Sequence, residues 1–352
     1  MVVMAVHTKV ALTLTFGIAA SALIAFSGSV AAPAVELRGA GSTLVAPLIG
    51  AWTKGLAASH PNVSVQYEQT GSGEGIYRFL ADTVQFGATE RPMTDAEINR
   101  AERGVVHVPV TAGMVAVAYN LPDVSTQLRL GRETLAEIFS GAVRQWNDPR
   151  ISADNPGVVL PARTIALVTR RDASGTTYAF TAHLAAVDPS WNHAGLGVGD
   201  QIAWPPEAMT VLGNEGVAGR VQITEDSIGY IEFGFAQRLG LMTALLQNRD
   251  GAFVGPVPEA GAAALSDAAA DMPVDGRQSI VDPAGKAAYP IVTYSWLLLP
   301  EHGHSADVAE ALRAFVGYGL SQNGQAQAAE IGYVPLPSGV LKRAEALLGR
   351  MR

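Results

Sequence analysis

Val63-Ser64-Val65-Gln66-Tyr67 has the two-residue rhythm of a strand, and Gly75 to Asp82, a few residues on, has the spacing of a helix. Short β-branched or apolar runs alternate with helical patterns in this way through most of the chain. The alternation predicts α/β architecture with mostly parallel sheets. Arg132 to Ser140 fits the scheme, with Leu135, Ile138 and Phe139 on one helical face turned to a core. Two apolar runs, Met114 to Asn120 and Ile291 to Leu299, are rich enough in Val, Ile, Leu, Tyr and Trp to be buried strands. Read as crossings between two lobes, they assemble lobe I from 36–119 plus 291–352 and lobe II from 120–290. Pro256 to Lys286, rich in Ala, Pro, Gly and Asp, reads as an irregular surface connection holding one helix.

With 352 residues, 48% of them hydrophobic, the chain is long enough for a substantial core and for two domains. A formal net charge of -8 argues against a general nucleic-acid binder, whose affinity comes from clustered Lys and Arg. Any anion must therefore be held locally. The absence of cysteine excludes disulfide frameworks, thiolate metal sites and a Cys nucleophile. At the start of the chain Lys9 precedes an apolar run, Val10 to Phe26, and then the small residues Ser27 to Ala34. This pattern predicts a signal peptide over 1–34, cleaved after Ala31 or Ala34, against the alternative of an uncleaved anchor. No cysteine follows it to carry a lipid, so the expected compartment is a Gram-negative periplasm.

Three segments place small or hydroxyl residues just before a predicted helix. Gly39-Ala40-Gly41-Ser42-Thr43-Leu44 precedes a helix near Ala46 to Ala58; Thr70-Gly71-Ser72-Gly73-Glu74-Gly75 precedes one near Ile76 to Asp82; Ser174-Gly175-Thr176-Thr177 precedes one near Tyr178 to Ala186. A helix start exposes unpaired N–H groups and the positive end of the peptide dipoles, which attract anions. Glycine admits close approach, and Ser or Thr adds donors without charge. Each segment alone also suits a plain N-cap. Beside the third lies Arg170-Arg171-Asp172, where one guanidinium can grip an oxyanion while Asp172 fixes its fork. A surface ion pair is the plainer reading of that cluster.

Taken together, these residues resemble the periplasmic phosphate-binding proteins of the Pst ABC importer, the PstS family. The resemblance is carried by Gly39 to Thr43 with Ala46-Pro47, Gly71-Ser72-Gly73 with Gly75, Phe86-Gly87-Ala88, Arg170 with Asp172 and Ser174-Gly175-Thr176, Ile228-Gly229-Tyr230, and Tyr333-Val334-Pro335-Leu336-Pro337. It runs over nearly the whole mature chain. It implies a two-lobed type II solute-binding fold, each lobe a mixed sheet flanked by helices, closing on inorganic phosphate without catalysis or cofactor. By the same resemblance Thr43, the Leu44 amide and Ser72 bind from the first lobe, and Arg170, Ser174, the Gly175 amide and Thr176 from the second. Asp172 would support Arg170. The implied partners are the membrane permease of an importer driven by a cytoplasmic ATPase, with the binding protein a monomer.

One residue departs from the family pattern. After Phe86-Gly87-Ala88-Thr89 stands Glu90, where the family usually has Asp as acceptor for the proton on phosphate. Phosphate keeps at least one P–OH near neutral pH and sulfate has none, so a buried carboxylate pairs with the first and is left unpaired against the second. Either the longer side chain keeps this role with a small shift of the lobe, or Glu90 turns outward and selectivity relaxes.

The catalytic readings lack their constellations. No G-x-x-x-x-G-K-[ST] loop, G-x-S-x-G elbow or G-x-G-x-x-G fingerprint occurs. His302-Gly303-His304 offers only two metal ligands, so no metal site is expected. The alternatives kept are a secreted phosphatase or phosphate-transferring enzyme that orients its substrate with Arg170, and a binder of another tetrahedral oxyanion such as sulfate.

Overall fold

A computed structural model describes residues 1–2, 34–193 and 195–352; the signal peptide read at 1–34 lies almost wholly outside the described residues. A nine-stranded sheet organises residues 34–352. Its strands, numbered in chain order, are β1 (Val35–Gly41), β2 (Val63–Gln69), β3 (Phe86–Thr89), β4 (Val106–Asn120), β5 (Ala166–Arg170), β6 (Met209–Val211), β7 (Ser227–Glu232), β8 (Met242–Thr243) and β9 (Val292–Leu299). The order across the sheet is β2-β1-β3-β9-β4-β7-β5-β6, with β8 also on β4.

The two flanks are parallel, as the alternating pattern predicts: β1 with β2 and β3, and β5 with β6 and β7. The centre is not. There β4 and β9 run antiparallel to each other, and each is antiparallel to its outer neighbour. Parallel neighbours need a crossover such as a helix, and the flanks have them. In contrast, β4 and β9 come from distant parts of the chain, so no local pattern reports their pairing.

The spine of the sheet is β4, buried along its whole length except Asn120. Val106 to Met114 pair with β9, and Val115 to Asn120 pair with β7. Sequence reading found only the second half, because His107, Pro109, Thr111 and Gly113 interrupt the apolar run that marks a doubly covered strand. The register against β9 slips between Ser295 and Trp296, opposite Pro109, which has no N–H to give a ladder.

Five helices border the candidate site or pack beside it: α1 (Ala46–Leu56), α2 (Ser72–Leu80), α3 (Gly175–Val187), α4 (Gly213–Ile223) and α5 (Phe233–Leu239). The face of α1 formed by Leu48, Ile49, Trp52 and Leu56 is buried, and Trp52 donates to the Gly324 carbonyl at 2.9 Å. At the other end of the sheet Phe180 of α3 stacks on Tyr230 of β7 with centroids 4.4 Å apart, and Phe139 meets Phe180 edge-on at 4.7 Å. Each packed aromatic removes a large apolar area from water and fixes its helix on the sheet. The 256–286 connection does hold one helix, Pro258–Ala268, but it is not merely superficial. Ala264 and Leu265 are buried, and the Gly276 carbonyl accepts from the Trp296 indole at 2.8 Å.

Candidate functional site

The three helix starts picked out by sequence converge on one place, and Glu90 stands at its centre. Glu90 follows β3 directly and is almost wholly buried. Its carboxylate accepts from Ser42 Oγ at 2.5 and 2.6 Å, from Ser295 Oγ at 2.8 Å and from Ser72 Oγ at 3.2 Å. The side chain therefore turns inward. Burial raises its pKa, while the hydrogen bonds from Ser42, Ser295 and Ser72 and the Arg170 charge pull it back. Ser295 reaches Glu90 from the β9 side of the point where the register slips, the extra residue there being Val110 of β4.

At the first helix start Ser42 Oγ accepts from the amides of Leu44 at 3.0 Å and Val45 at 3.3 Å. Here the Leu44 amide expected on the anion serves the turn that opens α1. Thr43, also buried, faces across to α4: its Oγ1 accepts from the Asn214 amide at 3.1 Å and from Asn214 Nδ2 at 2.9 Å. At the second start, α2 begins at Ser72, earlier than its sequence spacing indicates. Gly71 makes the turn before it at φ 99°, where a side chain would be strained and would press on Asp172. Gly73 then donates to the Ala173 carbonyl at 3.0 Å, joining the second start to the third.

At the third start Ser174 caps α3, its Oγ accepting from the Thr177 amide at 3.2 Å, and Thr176 Oγ1 accepts from Asn214 Nδ2 at 3.3 Å. Gly175 is the first residue of α3 and touches the opposite wall. A Cβ there would lie 2.6 Å from Ser72 Oγ and 2.7 Å from Glu90 Cβ.

Arg170 ends β5 with its side chain buried. Its Nε donates to Asp172 Oδ1 at 2.8 Å and its Nη2 pairs with Asp172 Oδ2. Burial works to raise the Asp172 pKa, but the Arg170 pairing and the Gly213 amide outweigh it and the carboxyl is lowered. The remaining nitrogen, Nη1, is buried with no hydrogen-bond partner among the described residues. A buried unpaired guanidinium N–H is costly and suits an anion. Tyr230 supports the backbone here, its hydroxyl accepting from the Arg170 amide at 3.2 Å and pairing with Thr177 Oγ1 at 2.7 Å. Arg171, just past the end of β5, is exposed.

Four participants escaped sequence reading. Ser42 lay inside a flagged segment, next to the residue chosen from it. Ser295 is a hydroxyl in a run read only as core. Asn214 follows Gly213 at the start of α4, so the rule applied to the other three helix starts also reaches it. Arg91, which follows Glu90, is bonded to Asp200 at 2.9 Å, and no local pattern links those two.

Comparison with known proteins agrees with this arrangement. A sequence model described as the PBP superfamily domain matches residues 27–323. The chain is similar to the phosphate-binding protein PstS of Xylella fastidiosa, 36% identical over 313 residues that cover 89% of this chain and 84% of the relative. It is also similar to PstS of Pasteurella multocida, 34% identical over 314 residues that cover 89% and 90%. In fold it matches a high-affinity periplasmic phosphate-binding protein, PfluDING, solved with phosphate, at a TM-score of 0.72 and 21% identity, covering 89% of this chain and 93% of that one. Sequence likeness at this level over nearly the full length of the relatives places the chain in the PstS family of phosphate-binding proteins.

Proposed function

We propose that the chain binds inorganic phosphate between two lobes and delivers it to an ABC importer, with no chemistry of its own. The observation that carries this reading is the buried Arg170 Nη1, unpartnered among the described residues, on a guanidinium whose charge acts on Glu90; the other carboxylate there, Asp172, is already taken up by Arg170 and the Gly213 amide. Donors in excess with a single acceptor suit a tetrahedral oxyanion that keeps a proton. Sulfate, lacking that proton, would set its own charge against the Glu90 carboxylate with no hydrogen bond between them, so the oxyanion reading narrows to phosphate. The residues proposed to hold it are Thr43, Ser72 and Glu90 on one side and Arg170, Ser174, Gly175 and Thr176 on the other, with Asp172 fixing Arg170; the Leu44 amide, which donates to Ser42 Oγ here, would join them by turning from that hydroxyl to the anion.

The split of β4 at Met114 and Val115 supports a two-lobed clamp. Lobe I would comprise 36–119 plus 291–352 and lobe II 120–290, with β4 and β9 at the crossings. Phosphate held by both lobes would favour the closed arrangement. Membership of the PstS family supports release into the periplasm after removal of the signal peptide, action as a monomer, and docking on the permease of an importer with a cytoplasmic ATPase. No helix among the described residues is long and apolar enough to cross a membrane.

Calorimetric titration with phosphate, arsenate and sulfate, run beside an assay with a chromogenic phosphate ester, tests the reading. Tight phosphate binding, weak sulfate binding and no ester hydrolysis are expected. Ester hydrolysis would favour the phosphatase alternative, and sulfate binding equal to phosphate would remove the selectivity.

A further inference from the structure

Thr43 and Thr176, from the first and third helix starts, meet at a third residue. Asn214 is the second residue of α4 and is fully buried. Its Oδ1 accepts from the Glu232 amide at 3.0 Å, which fixes the carboxamide with Nδ2 turned the other way. Nδ2 then donates to Thr43 Oγ1 at 2.9 Å and to Thr176 Oγ1 at 3.3 Å, and the Asn214 amide donates to Thr43 Oγ1 at 3.1 Å.

A hydroxyl oxygen has two lone pairs and one hydrogen. Asn214 donors occupy both lone pairs of Thr43 Oγ1 and one of Thr176 Oγ1. Thr43 can therefore act on anything else only as a donor, and Thr176 is biased the same way. An oxyanion offers only acceptors, apart from the proton that Glu90 takes.

We propose that Asn214 is a positioning residue that makes Thr43 and Thr176 donors toward the anion and ties the two sides of the site together; this rests on the phosphate-binding reading. The Asn214 side chain itself need not touch phosphate. It acts by fixing which way two hydroxyls point.

Calorimetric titration of inorganic phosphate into the purified full chain tests this through a double-mutant cycle. Asn214→Ala should weaken binding about tenfold, the scale of losing neutral hydrogen bonds in a buried site. In the Thr43→Val background, where the principal hydroxyl is gone, the same change should cost no more than about twofold further. Asn214→Asp should weaken binding more than Asn214→Ala, because a carboxylate takes the threonine protons and repels the anion. It keeps the acceptor for the Glu232 amide, and part of its cost should vanish in the Thr43→Val background, which neither a merely structural role nor charge repulsion alone would produce. Should Asn214→Ala not fold, Asn214→Asp carries the same cycle. Losses that multiply across the cycle, or Asp milder than Ala, or unchanged affinity in Asn214→Ala, would overturn the inference while the phosphate reading stands. A wild-type chain that binds no phosphate would overturn both.

Discussion

Arg91 Nε lies 2.9 Å from Asp200 Oδ2, and the two residues come from opposite sides of the site. Arg91 follows Glu90, while the Asp200 carbonyl accepts from the Ser174 amide at 2.7 Å. The outer nitrogens of Arg91 hold Glu97 at 2.8 and 2.9 Å, and this hydrogen bonding draws the Glu97 carboxyl down to about 2 against its partial burial. The guanidinium is thus anchored to its own side before it reaches across, so little side-chain freedom is lost in making the second pair.

From that geometry Asp200→Asn should weaken phosphate binding by about 0.5–1 kcal/mol, the range of partly exposed pairs, mainly through faster release. The variant should also lose part of the salt dependence of the release rate. Stopped-flow dissociation at two ionic strengths checks both. A release rate equal to wild type at both would show that the pair does not hold the closed arrangement.

Arg170→Ala should cost about 2–5 kcal/mol of phosphate binding, since it removes the positive charge that the reading places on the anion and leaves Asp172 without its buried partner. Arg171→Ala, on the exposed side of the same turn, should change affinity little. Equal affinities for Arg170→Ala and wild type in a titration would take Arg170 out of the site.

Glu90→Gln tests selectivity. The amide keeps the shape and removes the charge, so sulfate should gain on phosphate by about 1–3 kcal/mol. Glu90→Asp should preserve discrimination, with affinity changed only by the shorter reach to Ser42 and Ser295. Competition titrations measure the ratio directly; if Glu90→Gln leaves it where it was, discrimination lies with the hydroxyls and amides instead.

Glu232 supplies a pH signature. It is fully buried, and its pKa is pushed up to about 8 from an ordinary 4.5, by burial first and by Glu90 in addition, against the Gly234 amide and Arg238. Between those values the folded chain holds a proton that the unfolded chain lacks. The resulting stability is complete below the unfolded value and is lost as pH rises through about 8. Buried His107 and His183, both lowered to about 4 from 6.5, act oppositely: their contribution is complete above 6.5 and is lost as pH falls toward 4. Denaturant titrations should therefore show an optimum between the two limbs. Glu232→Gln should flatten the alkaline limb, by an amount on the order of a few kcal/mol. If wild type and Glu232→Gln lose stability in parallel above neutral pH, Glu232 does not carry it.

Much of this was legible in the sequence because it is written locally. The strand-helix alternation points to the class of fold, and a glycine or hydroxyl ahead of a helix is a statement about a few adjacent residues, so the segments holding Thr43, Ser72 and Ser174 stand out in sequence and the structure brings them together. The antiparallel centre of the sheet was not legible, since it depends on β4 meeting a strand from the far end of the chain. Ser295 was missed for the same reason: it meets Glu90 only because β9 lies beside β3 and β4, which is visible only once the strands are paired. Leu44 shows a different limit. Its amide is available in sequence, but which oxygen it meets is decided by whether the Ser42 hydroxyl is nearer, and Ser42 lies 3.0 Å away.

Gly175 gives the site a calliper. Its missing side chain lets the start of α3 rest on Ser72 and Glu90, where a Cβ would stand only 2.6 to 2.8 Å from their atoms. The start of α3 meets the Ser72 hydroxyl and the Cβ and amide of Glu90, short groups held close to the backbone that do not yield as a long side chain does. If the two proposed lobes close as jaws, this contact rather than the strength of the pull on the anion should set how far they shut. A phosphate ester carries an extra group that would hold the jaws apart, and Gly175→Ala would wedge them from within.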